Sequence, residues 1–287
     1  MPPSLDVSKY QNLLRTFLDE DLGTGDITTE TTVSATKSAR GELLAKAPLV
    51  LAGIDLFAEV FRLLDPAAQV EVCSPDGQEL QPGQIPARIR ASARALLTGE
   101  RVALNLLQRL SGVATLTHQF VRAVKGASAE ILDTRKTTPG LRDLEKYAVR
   151  VGGGRNHRRD LGEAVLIKEN HIRMAGGVSA ALQAAQAAKA RAAWIEIEVT
   201  NLDELRAALA YNPDVVLLDN MSPGLVRQAV LQVRAQNPAR KIRTEASGGI
   251  TLGNVREFAE AGVDWISVGA LTHSAPAVDL SFEIEPL

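Results

Sequence analysis

The residues best placed for chemistry are cations set just beyond apolar runs. Ile131-Leu132-Asp133-Thr134-Arg135-Lys136 and Ala164-Val165-Leu166-Ile167-Lys168 each read as a short buried strand ending in positive charge. From Asp133 to Arg173, ten Arg and Lys face six Asp and Glu, a local balance of +4 in a chain whose net charge is −2. A charge run on a lone helix is ordinarily a solvated face. Cations crowded at strand ends differ, because their repulsion is costly unless an anion offsets it. Later apolar runs close in Glu196 and Glu198, in Asp219-Asn220, in Glu245 and Ser247, and in Ser267. Carboxylates such as Glu198 and Asp219 suit Mg²⁺, which takes few protein ligands and shares the rest with phosphate and water. The small-residue turns Ser247-Gly248-Gly249 and Val268-Gly269-Ala270 let backbone N–H groups approach a phosphate. The chemistry implied is that of a small, densely anionic substrate handled with a divalent cation.

The whole chain narrows the options. With 287 residues, 45% of them apolar and 23% charged, it is of globular composition and long enough for one large α/β domain or two ordinary ones. A slightly acidic balance, with a pI near 6.1, argues against nucleic-acid or acidic-membrane binding. Cys73 is the only cysteine, so no intramolecular disulfide forms; within Val70-Glu71-Val72-Cys73 it is expected as a packed thiol. Met1 to Tyr10 lacks the apolar core of a signal peptide, no long apolar run occurs, and a cytoplasmic location with no membrane partner is expected. His118, His157, His171 and His273 are scattered without zinc-site spacing. Neither a Walker-type loop nor a Gly-x-Gly-x-x-Gly fingerprint is present.

These groups must be positioned by alternating elements. Asp6–Asp21 has the spacing of an amphipathic helix, strand-like pieces follow at Leu43–Ala45 and Leu49–Ala52, and Ile54–Leu64 regains helical periodicity. Ala87–Ala91 alternates like an exposed or edge strand. Leu96–Lys125 is a long helical pattern that Ser111-Gly112 should interrupt, placing a domain boundary there. Beyond it strands ending near Arg135, Lys168, Glu198, Asp219, Ser247 and Gly269 alternate with helices at Leu141–Val151, Val178–Ala193, Leu202–Tyr211, Pro223–Gln236 and Leu252–Ala261. Six parallel strands fit an incomplete barrel or an open doubly wound sheet, and either collects the strand ends on one rim.

Longer stretches carry a resemblance. Glu20-Asp21-Leu22-Gly23-Thr24-Gly25-Asp26-Ile27-Thr28, Thr98-Gly99-Glu100-Arg101-Val102-Ala103-Leu104-Asn105, Asp133-Thr134-Arg135-Lys136-Thr137-Thr138-Pro139-Gly140, Glu145-Lys146-Tyr147-Ala148-Val149, Gly152-Gly153-Gly154-Arg155-Asn156-His157-Arg158 and Leu166-Ile167-Lys168-Glu169-Asn170-His171 resemble quinolinate phosphoribosyltransferases. The likeness runs from about Leu18 to Gly269, with Glu163 and Glu169 where Asp would be as much expected. It implies an α/β fold: an incomplete (β/α) barrel over 113–272, with an N-terminal α+β open-faced sandwich over 1–112 joined by 273–287. It also implies phosphoribosyl transfer from phosphoribosyl pyrophosphate to quinolinate with decarboxylation, as a pentosyltransferase of NAD biosynthesis. On this resemblance Arg135, His157, Arg158 and Lys168 hold the two carboxylates of quinolinate. Thr134, Lys136, Glu198 and Asp219 hold phosphoribosyl pyrophosphate and Mg²⁺, with Lys136, Glu198 and Asp219 catalytic. The loops at Ser247, Gly248 and Gly249 and at Val268, Gly269 and Ala270 grip the 5′-phosphate. The assembly implied is a homodimer with shared sites, Arg101 reaching into the partner's barrel, and higher homo-oligomers are left open. Two rivals remain: a paralogue acting on another base, which would need fewer cations if it bore one carboxylate, and a non-catalytic sensor of phosphorylated sugars.

Overall fold

The computed structural model describes residues 5–236 and 242–287; of Met1–Tyr10, the first four residues lie outside that set. The chain divides into one unit of 1–116, 150–153 and 275–287, and a second of 117–149 and 154–274.

In the first unit, α1 (Gln11–Leu22) follows a single 3₁₀ turn at Val7–Tyr10. Asp26 then caps α2 (Ile27–Thr32) by accepting from the Thr29 N–H at 2.9 Å. Strands β1 (Ser38–Ala45), β2 (Leu49–Val50), β3 (Gln69–Val72), β4 (Glu79–Leu80) and β5 (Ala87–Ser92) surround α3 (Ile54–Leu64) in sequence, and α4 begins at Ala93. The last strand, β12 (Leu280–Pro286), returns to pair antiparallel with β1, completing a sheet of order β12-β1-β5-β3. Burial alternates along β1 and β5, so one face of the sheet carries the core. Phe57 and Phe61 of α3 pack edge-on at 5.2 Å, and Phe282 of β12 meets them at 5.5 and 5.2 Å. That ring occupies the space a Cβ on Gly41 would need, 2.0 Å from Phe282 Cζ.

Three sequence expectations change here. Ala87–Ala91 is not an edge: β5 lies between β1 and β3, and the alternation reflects Arg88 turned outward to Glu42 at 3.1 Å while Ala87 and Ile89 face inward. The long helix α4 runs unbroken from Ala93 to Ala123. Ser111 does not interrupt it, because its hydroxyl accepts from the Ala52 N–H at 3.0 Å; Gly112 is small because Pro276 O stands where a Cβ would be, 2.0 Å away. Cys73 is exposed rather than packed, with Sγ 3.5 Å from Arg88 Nη1.

The second unit alternates β6 (Glu130–Leu132), α5 (Arg142–Val151), β7 (Val165–Ile167), α6 (Glu169–Ala175), α7 (Val178–Gln186), β8 (Ile195–Val199), α8 (Leu202–Leu209), β9 (Val215–Asp219), α9 (Pro223–Gln236), β10 (Arg243–Ser247), α10 (Val255–Glu260), β11 (Trp265–Ser267) and α11 (Ala270–His273). The six strands pair in parallel in the order β6-β11-β10-β9-β8-β7. This is the incomplete barrel. Its two end strands are β6 and β7, and Arg155 runs beside Leu132 of β6 in an isolated parallel bridge. The helix expected over Val178–Ala193 stops at Gln186, and that expected over Leu252–Ala261 is confined to Val255–Glu260. β6 ends at Leu132, so Arg135 stands in the following loop and not on the strand. Side chains alternate along a strand, so Glu196 and Glu198, and likewise Glu245 and Ser247, share one face at two depths.

Candidate active site

A cavity of about 570 Å³ opens at the strands' C-terminal ends. Its walls include Thr134, Arg135 and Lys136 after β6, His157 and Arg158, Lys168 after β7, Glu198 of β8, Asp219 of β9, and Ser247, Gly248 and Gly249 after β10. Every one of these was expected from the sequence. Leu166, Leu217, Asn220, Glu245 and Ser267 also line it; sequence reasoning does not single them out as site residues, although Glu245 and Ser267 stand as polar ends of apolar runs. Arg101, Val268, Gly269 and Ala270 are not among its lining residues. Arg101 is exposed on α4 of the first unit. Gly269 acts through its size: a Cβ there would sit 3.1 Å from Lys136 Cδ.

The loop after β6 is held in shape by local bonds. Glu145 of α5 accepts from the Thr138 N–H at 3.1 Å and from its hydroxyl at 2.8 Å, and the Thr272 hydroxyl donates to Lys136 O at 2.8 Å. The Arg155–Arg158 segment is fixed by a buried pair: Lys146 Nζ lies 2.5 Å from Asp133 Oδ1 and 2.9 Å from His157 O, while the His157 N–H donates to the same carboxylate at 2.9 Å. Burial nevertheless pushes Asp133 up to about 6, against the opposing charge of Lys146.

The ten cations of the sequence window now separate by partner. Lys146 pairs with Asp133, Arg155 with Glu130, Arg159 with Asp143 and Asp160, and Arg173 with Glu169. Those serve the scaffold. Among the described residues Arg135, Lys136, Arg158, Arg142 and Arg150 have no acidic partner within ion-pair distance, but Arg142 donates to Thr137 Oγ1 and Arg159 O, Arg150 is exposed, and neither lines the cavity; Lys168 stands 3.9 Å from Glu198. Arg158 is buried, donates from Nη1 to Ala164 O at 2.8 Å, and has its acidity increased by burial and then by the nearby Arg135 charge. Arg135 Nε is buried with no hydrogen-bond partner. Two neighbouring guanidiniums left without an acid are a site for an anion, and their planar forks match carboxylates.

On another wall Glu198 is held above its ordinary value, first by burial and then by Asp219, while the Glu169 N–H donates to it at 3.3 Å. Mutual repulsion of two carboxylates facing one cavity fits a divalent cation. Beside them Gly248 (φ +90°) and Gly249 (φ +62°) take left-handed conformations, and a Cβ on Gly248 would collide with Asn220 Oδ1 at 2.2 Å. That turn has the features of an anion-binding nest.

His157, isolated in sequence, meets two carboxylates in space: Nε2 is 3.1 Å from Glu196 Oε2 and 3.4 Å from Glu245 Oε2. All three are buried, and no Glu245 oxygen receives an aligned hydrogen bond. Burial opposes the charged imidazole, but the two carboxylates outweigh it and raise His157 to about 10; Glu245 is pushed up to about 7, by burial and then by Glu196. Against that upward pull the Arg158 N–H, 2.7 Å from Nδ1, needs that nitrogen's lone pair and so disfavours the doubly protonated ring, which leaves the neutral imidazole with its proton on Nε2 as the form the hydrogen-bond geometry supports. The three side chains could surround an ion, yet a proton on Nε2 blocks the nitrogen that would bind it. No helix among the described residues is long and apolar enough to cross a membrane.

Comparison with known proteins bears on the whole chain. Residues 26–111 match the family model for the quinolinate phosphoribosyl transferase N-terminal domain, and residues 113–283 match that for the C-terminal domain. The chain is 43% identical over 276 residues to a probable nicotinate-nucleotide pyrophosphorylase (carboxylating) of Bacillus subtilis, covering 96% of this chain and 93% of that one. It is also 43% identical over 279 residues to the nicotinate-nucleotide pyrophosphorylase (carboxylating) of Mycobacterium leprae, covering 96% of each. The solved nicotinate-nucleotide pyrophosphorylase of Francisella tularensis superposes with a TM-score of 0.91 at 39% identity over 98% of both chains.

Proposed function

The chain belongs to the quinolinate phosphoribosyltransferase family, and from that membership we infer its reaction. It transfers a phosphoribosyl group from phosphoribosyl pyrophosphate to quinolinate and releases carbon dioxide, giving nicotinate mononucleotide and pyrophosphate for NAD synthesis. The observation that carries this reading is the pairing of Arg135 with Arg158 in a cavity whose other wall bears Glu198 and Asp219.

In this reading Arg135, Arg158 and Lys168 bind the two carboxylates of quinolinate over a floor formed by His157. Thr134, Lys136 and the Ser247–Gly249 turn take the phosphates of the donor, with the Val268–Ala270 turn closing beside Lys136. Glu198 and Asp219, whose mutual repulsion suits a divalent cation, would hold Mg²⁺, which when bound would supply charge neutralisation for pyrophosphate. Loss of pyrophosphate leaves an oxocarbenium-like ribosyl carbon, which Glu198 and Asp219 stabilise while Lys136 meets the departing charge. Attack by the pyridine nitrogen makes the ring cationic. That ring accepts the electron pair released as carbon dioxide leaves, so the second step needs chiefly positioning. The protein acts as a homodimer with Arg101 entering the partner's site, in the cytoplasm, where an exposed thiol such as Cys73 stays reduced.

Incubation with phosphoribosyl pyrophosphate and Mg²⁺, offering quinolinate and nicotinate in parallel with mass detection of mononucleotide, tests the reading. Product from quinolinate alone is expected. Product from nicotinate alone would mean a base with one carboxylate.

A further inference from the structure

Decarboxylation leaves an unmet requirement at the reacting carbon. When the bond from C2 to the carboxylate breaks, the electron pair stays on C2, and a proton must arrive there before nicotinate mononucleotide exists. Among the described residues the ionisable groups lining the cavity are Arg135, Lys136, His157, Arg158, Lys168, Glu198, Asp219 and Glu245. Guanidiniums do not give up protons near neutrality. The two lysines and the Glu198–Asp219 pair are already engaged with substrate charge and metal in the proposed reading. Two groups remain, and they touch each other.

Glu245 is 1% exposed on its side chain, faces the cavity from β10, and has both oxygens without an aligned hydrogen bond. A buried carboxylate left so poorly bonded is far more costly than the neutral acid in the same place. We propose that Glu245, as the neutral acid, is the catalytic residue that delivers the proton to C2, with His157 as the positioning residue beside it. The C2–carboxylate bond breaks, carbon dioxide departs, C2 takes the proton from Glu245, and the resulting carboxylate faces the Nε2–H of His157. Water entering as products leave restores the acid. The groups set against Glu245 are Glu196 of β8, His157 and the hydroxyl of Ser267 on β11. Glu196 raises its proton affinity, and His157 and Ser267 limit that rise. Donation then occurs near neutral pH, where a general acid is most effective.

This inference rests on the decarboxylating reading above, and the experiment separates the two. Wild-type protein is first shown to make nicotinate mononucleotide from quinolinate; failure there removes the reading itself. Wild type and Glu245→Gln are then run in equal parts of H₂O and D₂O, and the hydrogen-to-deuterium ratio at C2 of the product is measured. That ratio reports the identity of the donor and does not depend on which step limits turnover. The Gln variant is expected to lose turnover by about tenfold or more, to keep its KM for quinolinate within about twofold, and to give a changed isotope ratio. Wild-type kcat is expected to fall as pH rises through about 7, and the Gln variant should lose that fall. An unchanged ratio, with or without slower turnover, overturns the proposal, since the donor would then lie elsewhere. Should Glu245→Gln fail to fold, Ser267→Ala leaves the donor in place and removes a hydroxyl that lowers its proton affinity, so it is expected to keep the wild-type ratio and to move the pH limb upward; a limb that stays where it was overturns the proposal.

Discussion

The two mouths of the barrel both carry cations around a cavity, and they use them in opposite ways. At the N-terminal ends of the strands, a cavity of about 440 Å³ is lined by residues that include Arg155, Arg243, Trp194 and Trp265. There each arginine has a resting partner: Arg155 reaches Glu130 at 2.8 Å, and both guanidiniums lie over the Trp265 ring, 5.2 and 4.8 Å from its centre. At the C-terminal ends Arg135 and Arg158 lie near each other with no acidic partner within ion-pair distance among the described residues. Positive charge marks a binding site where its partners are missing, and a piece of scaffold where they are present. Identity of residue type does not distinguish the two mouths; the accounting of partners does.

Removing Asp219 should show the largest effect. Asp219→Asn is expected to lower turnover by about 10²–10³ and to raise the Mg²⁺ concentration needed for half-maximal rate; turnover near wild type would break the assignment of that wall to donor and metal. Arg135→Ala should come next, raising the KM for quinolinate by about tenfold or more while that for phosphoribosyl pyrophosphate moves by less than about threefold. Equal effects on both substrates would mean that the cations do not divide as described.

The scaffold pair gives a different readout. Lys146→Met leaves Asp133 buried without its cation and should cost about 3–5 kcal/mol of stability, seen as a lower melting temperature. Asp133 itself has a folded-state value of about 6, above its ordinary 3.8. The native state therefore binds that proton more tightly than the unfolded chain, so the group's contribution to stability is full below about pH 4 and is lost as pH rises through 6. Asp133→Asn should flatten that part of the stability profile. The smallest change belongs to the far mouth: Arg155→Ala removes an exposed pair and should cost about 1 kcal/mol or less, with kcat/KM within about twofold of wild type.

How far the sequence could be read follows the same division. Strand ends were legible because a run such as Val215-Val216-Leu217-Leu218 closed by Asp219 has one fate in a parallel sheet. Arg135, Lys168, Glu198 and Ser247 were found in that way, and so was the glycine turn. Glu245 is not legible as a site residue in the sequence, since a carboxylate two residues before the rim looks structural until His157 is known to approach it. His157 reaches it from an irregular segment with no periodicity to predict its depth. Ser111 and Gly112 misled because small and hydroxyl residues signal breaks, while here they serve close packing inside a continuous helix. Which of ten neighbouring cations lack a partner depends on contacts as distant in sequence as Arg155 with Glu130, so composition alone could not sort them.

Calorimetric titration of quinolinate into wild type, Arg158→Ala and Arg243→Ala tests the contrast between the two mouths most directly. The account predicts weakening on the order of a hundredfold for Arg158→Ala and unchanged affinity for Arg243→Ala. Wild-type affinity in Arg158→Ala, or equal losses in both variants, would contradict it.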